Sequence, residues 1–269
     1  MHGQEWISIA QVLYIIHSLA EDQTNQEMIE GIDWVLVPVV NPDGYEYTQK
    51  TDRLWRKTRS KGKNCIGVDV NRNFPYHWSG IGFDDDECSD EYGGPAPLSE
   101  LETRYLSETI YRYRHRIKLY LSFHSPARSI LYPWSFTPDL PDHSYELDKL
   151  ATMVERSIVS VQGTPYKVGS SFNVLGPSPG CGRDWVFGLL NVKLSYIIEL
   201  PSGGSKEIDL PPNKILGVVQ EMFQGVKEFH AYIADQLRAS KDQLPFTSKV
   251  VWLCWGTSVV TCRFSFQIY

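Results

Sequence analysis

The fold class of this chain is decided by residues 192–200, which read VKLSYIIEL. A short apolar run of this kind, rich in β-branched and aromatic residues, is typical of a strand buried in a sheet. Similar runs cover residues 32–40 and 117–123. Apolar residues at helical spacing predict a helix over residues 6–20, and further helices are predicted over residues 99–116, 145–162 and 211–238. Strands that alternate with helices predict one α/β domain with a mixed, mostly parallel sheet.

Local signals predict where some of these elements begin and end. Residues 41–44, NPDG, are typical of a turn and should end the strand over residues 32–40. Residues 99–102, SELE, have the pattern of a capping box, in which a serine and a glutamate bind free amides at a helix start. Gly163 should stop the helix over residues 145–162.

Composition excludes several classes of protein. Of the 269 residues 42% are hydrophobic and 22% are charged, so the chain is expected to fold rather than to be disordered or fibrous. Lys and Arg number 26 against 32 Asp and Glu, and the resulting charge of −6 argues against nucleic acid as a partner. Residues 250–260 are too few to cross a bilayer, which needs about 20 apolar residues. We therefore expect a globular protein with no membrane span.

The chain is predicted to have two parts of different character. Residues 1–240 should form one domain, since they contain neither an internal repeat nor a linker. Residues 241–269 have aromatic and β-branched residues without a clean period, which predicts either an accessory strand or a frayed, non-native tail. The first residues, MHGQE, have neither the basic region nor the apolar region of a signal peptide.

Four residues predict a metal-dependent hydrolase. His2 and Glu5 offer an imidazole and a carboxylate three residues apart, and His124 follows a predicted central strand. A catalytic zinc takes three such ligands and keeps a fourth position open. Glu199 ends another predicted strand, where it can act as the base that deprotonates the attacking water. Each residue also has a structural interpretation, because His124 can be a hydrogen-bonded core histidine and Glu199 a member of a buried salt bridge.

Two cationic segments add the groups that such a hydrolase needs at a peptide end. Arg56 lies in residues 53–59 and can donate to a developing oxyanion. Asn71 and Arg72 are suited to hold a free carboxylate, because a guanidinium binds carboxylates in a bidentate manner. The alternative interpretation of the first segment is a solvated basic loop with affinity for polyanions.

These residues belong to motifs that together resemble the zinc carboxypeptidases of the pancreatic carboxypeptidase A and B family. The resemblance covers roughly residues 2–236, and the motifs occur in the family's order, which is hard to obtain by chance. The motifs are HGQEW at 2–6, NPDGY at 41–45, WRKTR at 55–59, GVDVNRNF at 67–74, SFHS at 122–125, GCGRDW at 180–185 and IEL at 198–200.

The resemblance implies a fold, a cofactor and a set of roles. The fold would be a mixed eight-stranded sheet between helices, without its first strands, because this chain begins at the HGQEW motif. The cofactor would be one zinc ion with His2, Glu5 and His124 as ligands, and Glu199 would be the general base. A truncated transcript or gene model would explain such a beginning.

The substrate implied by the resemblance is a peptide or protein C-terminus. Arg56 would polarise the scissile carbonyl and stabilise its oxyanion, and Asn71 and Arg72 would hold the terminal carboxylate. Ser125 would line the neighbouring subsite through its backbone. The chain would then be an exopeptidase that removes single C-terminal amino acids.

Further implications concern the compartment and the assembly. Many members of the family are secreted, and Cys65 and Cys88 match a disulfide of many members, which fits an oxidising compartment. We therefore expect a secreted protein, and we expect a monomer.

Arg183 occupies the position that sets specificity in the resembled family. A small or apolar residue there accompanies a preference for aromatic and aliphatic ends, and an acidic residue a preference for Lys and Arg ends. A buried guanidinium needs an anion, so Arg183 predicts a preference for C-terminal Glu or Asp, as in the carboxypeptidase O type. Alternatively, Arg183 pairs internally with Asp184 or points to solvent.

Two substitutions depart from the family pattern within the domain. Gly176 stands where a mobile tyrosine usually closes over substrate, which predicts weaker binding more than slower chemistry. Gln4 replaces a common arginine, which removes a charge from an outer subsite. A catalytically impaired pseudoenzyme or peptide-end-binding protein is therefore the alternative function, although the retained Glu199 favours an enzyme. A polyanion-binding protein that uses residues 50–63 is disfavoured by the negative net charge.

Overall fold

The computed structural model describes residues 1–203, 208–240 and 251–252. The helices are α1 Trp6–Glu21, α2 Pro42–Lys50, α3 Leu101–Tyr113, α4 Ser144–Gln162, α5 Ser171–Leu175, α6 Gly182–Gly188 and α7 Pro212–Ser240, with 3₁₀ turns at Gln23–Met28 and Val70–Arg72. The strands are β1 Val35–Leu36, β2 Leu119–His124, β3 Ser129–Tyr132, β4 Lys167–Ser170, β5 Leu194–Glu199 and β6 Val251–Trp252. The predicted helices at α1, α4 and α7 and the strands at β2 and β5 are confirmed, and Gly163 ends α4 with a left-handed φ of 79°.

The central sheet is mixed, as predicted, and has the strand order β2-β5-β3-β4 in the part of the chain that is described. Strand β5 runs parallel to β2 and antiparallel to β3, while β4 runs parallel to β3. The register of β2 and β5 places His124 directly opposite Glu199. The carboxyl ends of these two strands therefore bring two predicted site residues to one edge of the sheet.

Helices cover both faces of this sheet, because side chains along β5 alternate between two clusters. Tyr196 and Ile198 pack with residues of α1, α4 and α7 in the main core. Ile197 points to the other face, where it contacts Leu131 and Cys181. This double coverage explains why the β5 sequence up to Glu199 is apolar except for the buried Ser195.

The strand predicted over residues 32–40 is wrong in its length and burial. Only Val35 and Leu36 form a strand, and β1 pairs with β6 rather than with the central sheet. Pro38 has no amide hydrogen for a ladder. The segment lines a cavity of about 1110 Å³ between it and β2, so its side chains are half-buried or exposed.

Residues 41–44 begin a helix instead of forming the predicted turn. The Asn41 side chain accepts a hydrogen bond from the Gly44 amide at 2.9 Å, which caps α2. Pro42 occupies the first helical turn, where its missing amide hydrogen costs nothing. Asparagine followed by proline was therefore the start signal of α2.

The capping box predicted at residues 99–102 does not form, and α3 ends at Tyr113 rather than near residue 116. The Ser99 hydroxyl donates to the side chain of Glu100 instead of accepting from the helix. Glu100 is buried and accepts a hydrogen bond from Thr58 at 2.7 Å. A tertiary contact therefore replaces the predicted local one.

Most of the predicted tail, residues 241–269, lies outside the described residues. Only β6 is described there, and it runs parallel to β1. Among the helices that are described, none has the length and apolar character needed to cross a membrane.

Candidate active site

Three side chains from distant parts of the sequence meet at the carboxyl edge of the sheet. His2 and Glu5 lie immediately before and at the start of α1, and His124 ends β2. The Nδ1 atom of His2 lies 2.7 Å from Glu5 Oε1, and the Nδ1 atom of His124 lies 3.0 Å from Glu5 Oε2. The two Nδ1 atoms are 3.2 Å apart. All three residues are buried, and together they form a cluster able to hold a metal ion.

The outward nitrogen of each histidine is held by another side chain. Nε2 of His2 lies 2.9 Å from Asp69 Oδ1, and Nε2 of His124 lies 2.9 Å from the Ser122 hydroxyl. Such outer partners fix the ring orientation and the tautomer of metal-binding histidines. Both rings are therefore oriented with Nδ1 toward Glu5.

The geometry of this cluster fits zinc. Ligands at about 2.1 Å from a tetrahedral zinc lie about 3.4 Å from one another. The spacings of 2.7, 3.0 and 3.2 Å approach this value, with both Nδ1 atoms and the carboxylate turned inward. Two imidazoles and one carboxylate are also a donor set of catalytic zinc sites that leave one position open.

The charges of the cluster favour a cation. Burial alone would raise the pKa of Glu5, but the neighbouring His2 and His124 hold it well below its usual range. Burial lowers the pKa of His124 to about 4, although Glu5 opposes this shift. At neutral pH the cluster therefore offers an ionised carboxylate and a neutral His124, which is the protonation state that metal binding requires.

Glu199 lies opposite His124 and does not belong to a salt bridge among the described residues. Burial and the negative charge of Glu5 raise the pKa of Glu199 to about 8, while Arg56 acts in the opposite direction. A carboxyl group with a pKa this close to neutrality is suited to exchange protons.

Arg56 lies between Asp69 and the cluster. Its Nε and Nη2 atoms donate to Asp69 Oδ2 at 3.0 and 2.7 Å, and its Nη1 lies 3.9 Å from Glu5 Oε1. Burial would lower the pKa of Arg56, but Asp69 and Glu5 raise it further above its usual range. The guanidinium is therefore permanently charged and oriented, with one edge toward the metal cluster.

Asn71 and Arg72 lie in the 3₁₀ turn that follows Asp69, and both are buried. The Asn71 side chain accepts a hydrogen bond from the Gly182 amide at 3.1 Å, which joins this turn to α6. Arg72 lies 3.3 Å from Glu91, and its buried Nε has no hydrogen-bond partner among the described residues. A buried donor without a partner is suited to an incoming anion.

Arg183 is fully buried at the start of α6 and pairs with its neighbour Asp184. Its Nε and Nη2 atoms donate to Asp184 Oδ1 at 3.1 and 2.7 Å, and its Nη1 lies 3.4 Å from the Leu131 carbonyl oxygen. The other Asp184 oxygen accepts two hydrogen bonds from Ser135. This is the internal pairing that was the alternative to an anion-binding pocket.

Ser125 and Gly176 complete the predicted set. Ser125 directly follows His124, is buried, and has a hydroxyl without a partner among the described residues. Gly176 ends α5 with a φ of 94°, and a Cβ there would meet no atom within 4 Å. The space above Gly176 is therefore open, while its backbone strongly favours glycine.

Two functional residues were missed by the sequence reasoning. Asp69 binds His2, Arg56 and the Asn71 amide at once. Burial alone would raise the pKa of Asp69, but Arg56 and His2 keep it well below the usual range. The sequence feature that could have identified Asp69 is its carboxylate, two residues before Asn71. Ser122 gave a weaker signal, because a polar residue two positions before His124 lies on the same face of β2.

This fold and site define a metal-dependent hydrolase of the α/β class, and comparisons with known proteins agree. A family profile described as zinc carboxypeptidase matches residues 1–225. Carboxypeptidase B of Astacus astacus is 41% identical over 239 residues, which cover 87% of this chain and 79% of the relative. Carboxypeptidase A2 of Mus musculus is 34% identical over 87% of this chain, but only 57% of the relative is covered.

A solved structure gives the same result. Bovine thrombin-activatable fibrinolysis inhibitor, in complex with tick carboxypeptidase inhibitor, matches 87% of this chain and 80% of its own with a TM-score of 0.83 and 32% identity. The chain belongs to the zinc carboxypeptidase family, and its cofactor is zinc. Its relatives are named as carboxypeptidases, and the impaired binding protein that was the alternative gains no support from them. A Cys65–Cys88 disulfide is also present, as the resemblance implied.

Proposed function

We propose that this chain removes single amino acids from the C-termini of peptides with His2, Glu5 and His124 as its zinc ligands. The observation that carries the proposal is the meeting of these three side chains, within 4.8 Å of one another, beside Glu199 and Arg56. Zinc held there supplies a Lewis acid that polarises the scissile carbonyl and acidifies the attacking water.

The proposed roles of the chain's own residues follow from their positions. Glu199 accepts the proton of the attacking water and delivers it to the leaving amine, because it lies opposite His124 at the edge of the sheet, beside the metal cluster. Arg56 directs its Nη1 edge at the developing oxyanion while Asp69 holds the other edge. Hydrogen bonds of this kind contribute about 2.7–4 kcal/mol to the transition state.

The substrate's terminal carboxylate is proposed to bind at Asn71 and Arg72. The unpartnered Nε of Arg72 supports this position. Ser125 is proposed to bind the substrate backbone, since it follows His124 directly. Secretion and a monomeric state remain proposals that rest on the resemblance.

The experiment that tests this function is the release of a C-terminal amino acid from a peptide. We expect release that stops with a zinc chelator and returns with added Zn²⁺. Glu199→Gln should bind zinc but lose activity by about 10²–10⁴-fold, the usual contribution of a general base. Asp235→Asn, an exposed substitution in α7, is the matched control. Unchanged turnover in Glu199→Gln would contradict the proposed role.

A finer proposal concerns the released residue. We propose a preference for C-terminal Glu or Asp, supported by the presence of Arg183 at the position that sets specificity in the resembled family. Asp184 already compensates most of this charge, so Nη1, with its single 3.4 Å contact to Leu131, is the part of Arg183 best placed to donate to substrate. Peptides that differ only in a terminal Glu or Phe test this preference, and faster release of Phe would contradict it.

A further inference from the structure

A second cavity lies at the same edge of the sheet as the metal cluster. Its volume is about 440 Å³. It is built by the two segments that directly follow His124 and Glu199. Its lining residues are Pro126, Ala127, Arg128, Ser202 and Gly203. None of them belongs to the turn with Asn71 and Arg72 or to α6, so this cavity is separate from the proposed carboxylate site.

The backbone register places Arg128 close to the proposed general base. Ser129 is the antiparallel partner of Glu199, and the Cα atoms of such partners lie about 4.5–5.5 Å apart. Arg128 precedes Ser129 along the chain, so its Cα lies within about 9 Å of the Glu199 Cα. This is the distance spanned by two to three residues of an extended peptide.

The Arg128 side chain is exposed and, in the described ranges, makes neither an ion pair nor a side-chain hydrogen bond. Its backbone is fixed, because its carbonyl oxygen accepts a hydrogen bond from the Lys167 amide at 2.9 Å. Its φ of 45° lies in the left-handed region, which is uncommon for arginine. Strained residues of this kind often lie at binding sites, and an unpaired guanidinium is suited to bind a carboxylate.

We propose that Arg128 forms a cationic subsite for an acidic side chain of the substrate, two residues before the released amino acid. The inference rests on the proposed function. The substrate's terminus is held at Asn71 and Arg72 and its scissile carbonyl lies at Arg56. Ser125, which is proposed to bind the substrate backbone, lies three residues before Arg128, and this places the preceding substrate residues along the segment that follows His124. The enzyme would therefore choose its peptides partly by the residue two positions before the C-terminal one, which stays on the peptide after cleavage.

The test uses peptides with one C-terminal residue and with Glu, Gln or Lys two positions before it. We expect kcat/KM for the Glu peptide to exceed that for the Gln peptide about 3- to 5-fold at low salt, as for a partly exposed ion pair. The Lys peptide should be the poorest. The difference should shrink in high salt because the pair is screened.

Two variants separate charge from folding. Arg128→Gly removes the guanidinium and tolerates the left-handed backbone, so the Glu-to-Gln ratio should fall to about 1. Arg128→Glu should reverse the order, with the Lys peptide cleaved fastest. Arg104→Gln, which removes an exposed charge from α3, should keep the wild-type ratio.

The outcomes distinguish the subsite from the enzyme activity. Equal rates on all three peptides, with normal release of the terminal residue, would overturn the subsite and leave the proposed function standing. A Glu preference that survives in Arg128→Gly would also overturn it. If no peptide is cleaved by the wild-type protein, both proposals are wrong.

Discussion

The metal cluster and the Arg183–Asp184 pair are both buried and both charged, but they satisfy their charges in different ways. In the cluster, the partners come from distant segments: Asp69 holds His2 and Arg56, and Glu5 joins His2 to His124. In the Arg183–Asp184 pair, the arginine is bound by the next residue in the sequence. The cluster brings together ligand atoms that can hold a metal ion, while the Arg183–Asp184 pair compensates its own charge.

The difference shows what a buried charge can indicate. Two imidazole nitrogens and a carboxylate, all turned inward at zinc-like spacing, are the ligand set of a catalytic zinc site. A buried arginine with its own carboxylate requires no ligand, so its presence alone does not identify the substrate. The cluster therefore supports a functional conclusion more strongly than the Arg183–Asp184 pair does.

The largest expected effect comes from breaking the buried Arg183–Asp184 pair. Asp184→Asn removes the carboxylate that compensates fully buried Arg183, and it should lower the free energy of unfolding by about 3–5 kcal/mol. Urea unfolding of the zinc-free protein measures this change. The double variant Arg183→Met with Asp184→Asn should regain most of the stability, because it removes the uncompensated charge. If the single variant loses less than about 1 kcal/mol of unfolding free energy, Asp184 is not the main group that compensates the charge of Arg183.

The next effect comes from the cluster's outer partner. Asp69→Asn should weaken zinc binding about 10- to 100-fold, the usual effect of changing an outer partner of a ligating histidine. It should also hold Arg56 less firmly. The variant's kcat should therefore stay below that of the wild type even when zinc is saturating. Calorimetric zinc titration and activity at saturating zinc separate the two effects. Asp209→Asn, which removes the partner of Arg53 outside the cluster, is the control and should change neither.

The cluster was also the part that the sequence predicted best. His2, Glu5, His124 and Glu199 were identified because each lies at the end of a strongly patterned element. Before His124 and Glu199, the strands β2 and β5 are apolar except for Ser122 and Ser195, and parallel strands bring their carboxyl ends to the same edge. The resemblance then joined segments that periodicity alone could not bring together.

The remaining features depend on tertiary contacts that have no local signal. The short strands β3 and β4 are four residues each, too short for a pattern to identify. Glu100 is bound by Thr58 rather than by its own helix. Whether Arg183 pairs with Asp184 or faces a ligand depends on side-chain rotation, which the sequence leaves open.

A smaller effect is expected for the second outer partner. Ser122→Ala removes the hydroxyl that lies 2.9 Å from Nε2 of His124. A neutral hydroxyl holds an imidazole less strongly than the ionised Asp69 does, so zinc affinity should fall about tenfold or less, at the lower end for outer partners. The same titration measures it, and Ser157→Ala on α4 is a matched control. A loss larger than that of Asp69→Asn would contradict this ranking.

The smallest effect is a proton count that tests the electrostatics of the cluster directly. Without metal, Glu199 has a pKa of about 8 and is mostly protonated at pH 7, whereas His124, with a pKa of about 4, is already neutral. A cation bound beside Glu199 favours its carboxylate and lowers its pKa, so zinc binding at pH 7 should release about one proton from it. Glu199→Gln should release about one proton fewer than the wild type at pH 7, and the difference should vanish at pH 9, where the free carboxyl is already ionised. Calorimetry in buffers of different ionisation enthalpy gives these proton counts. Equal proton release by the two proteins at pH 7 would show that the charge of the metal does not lower the pKa of Glu199.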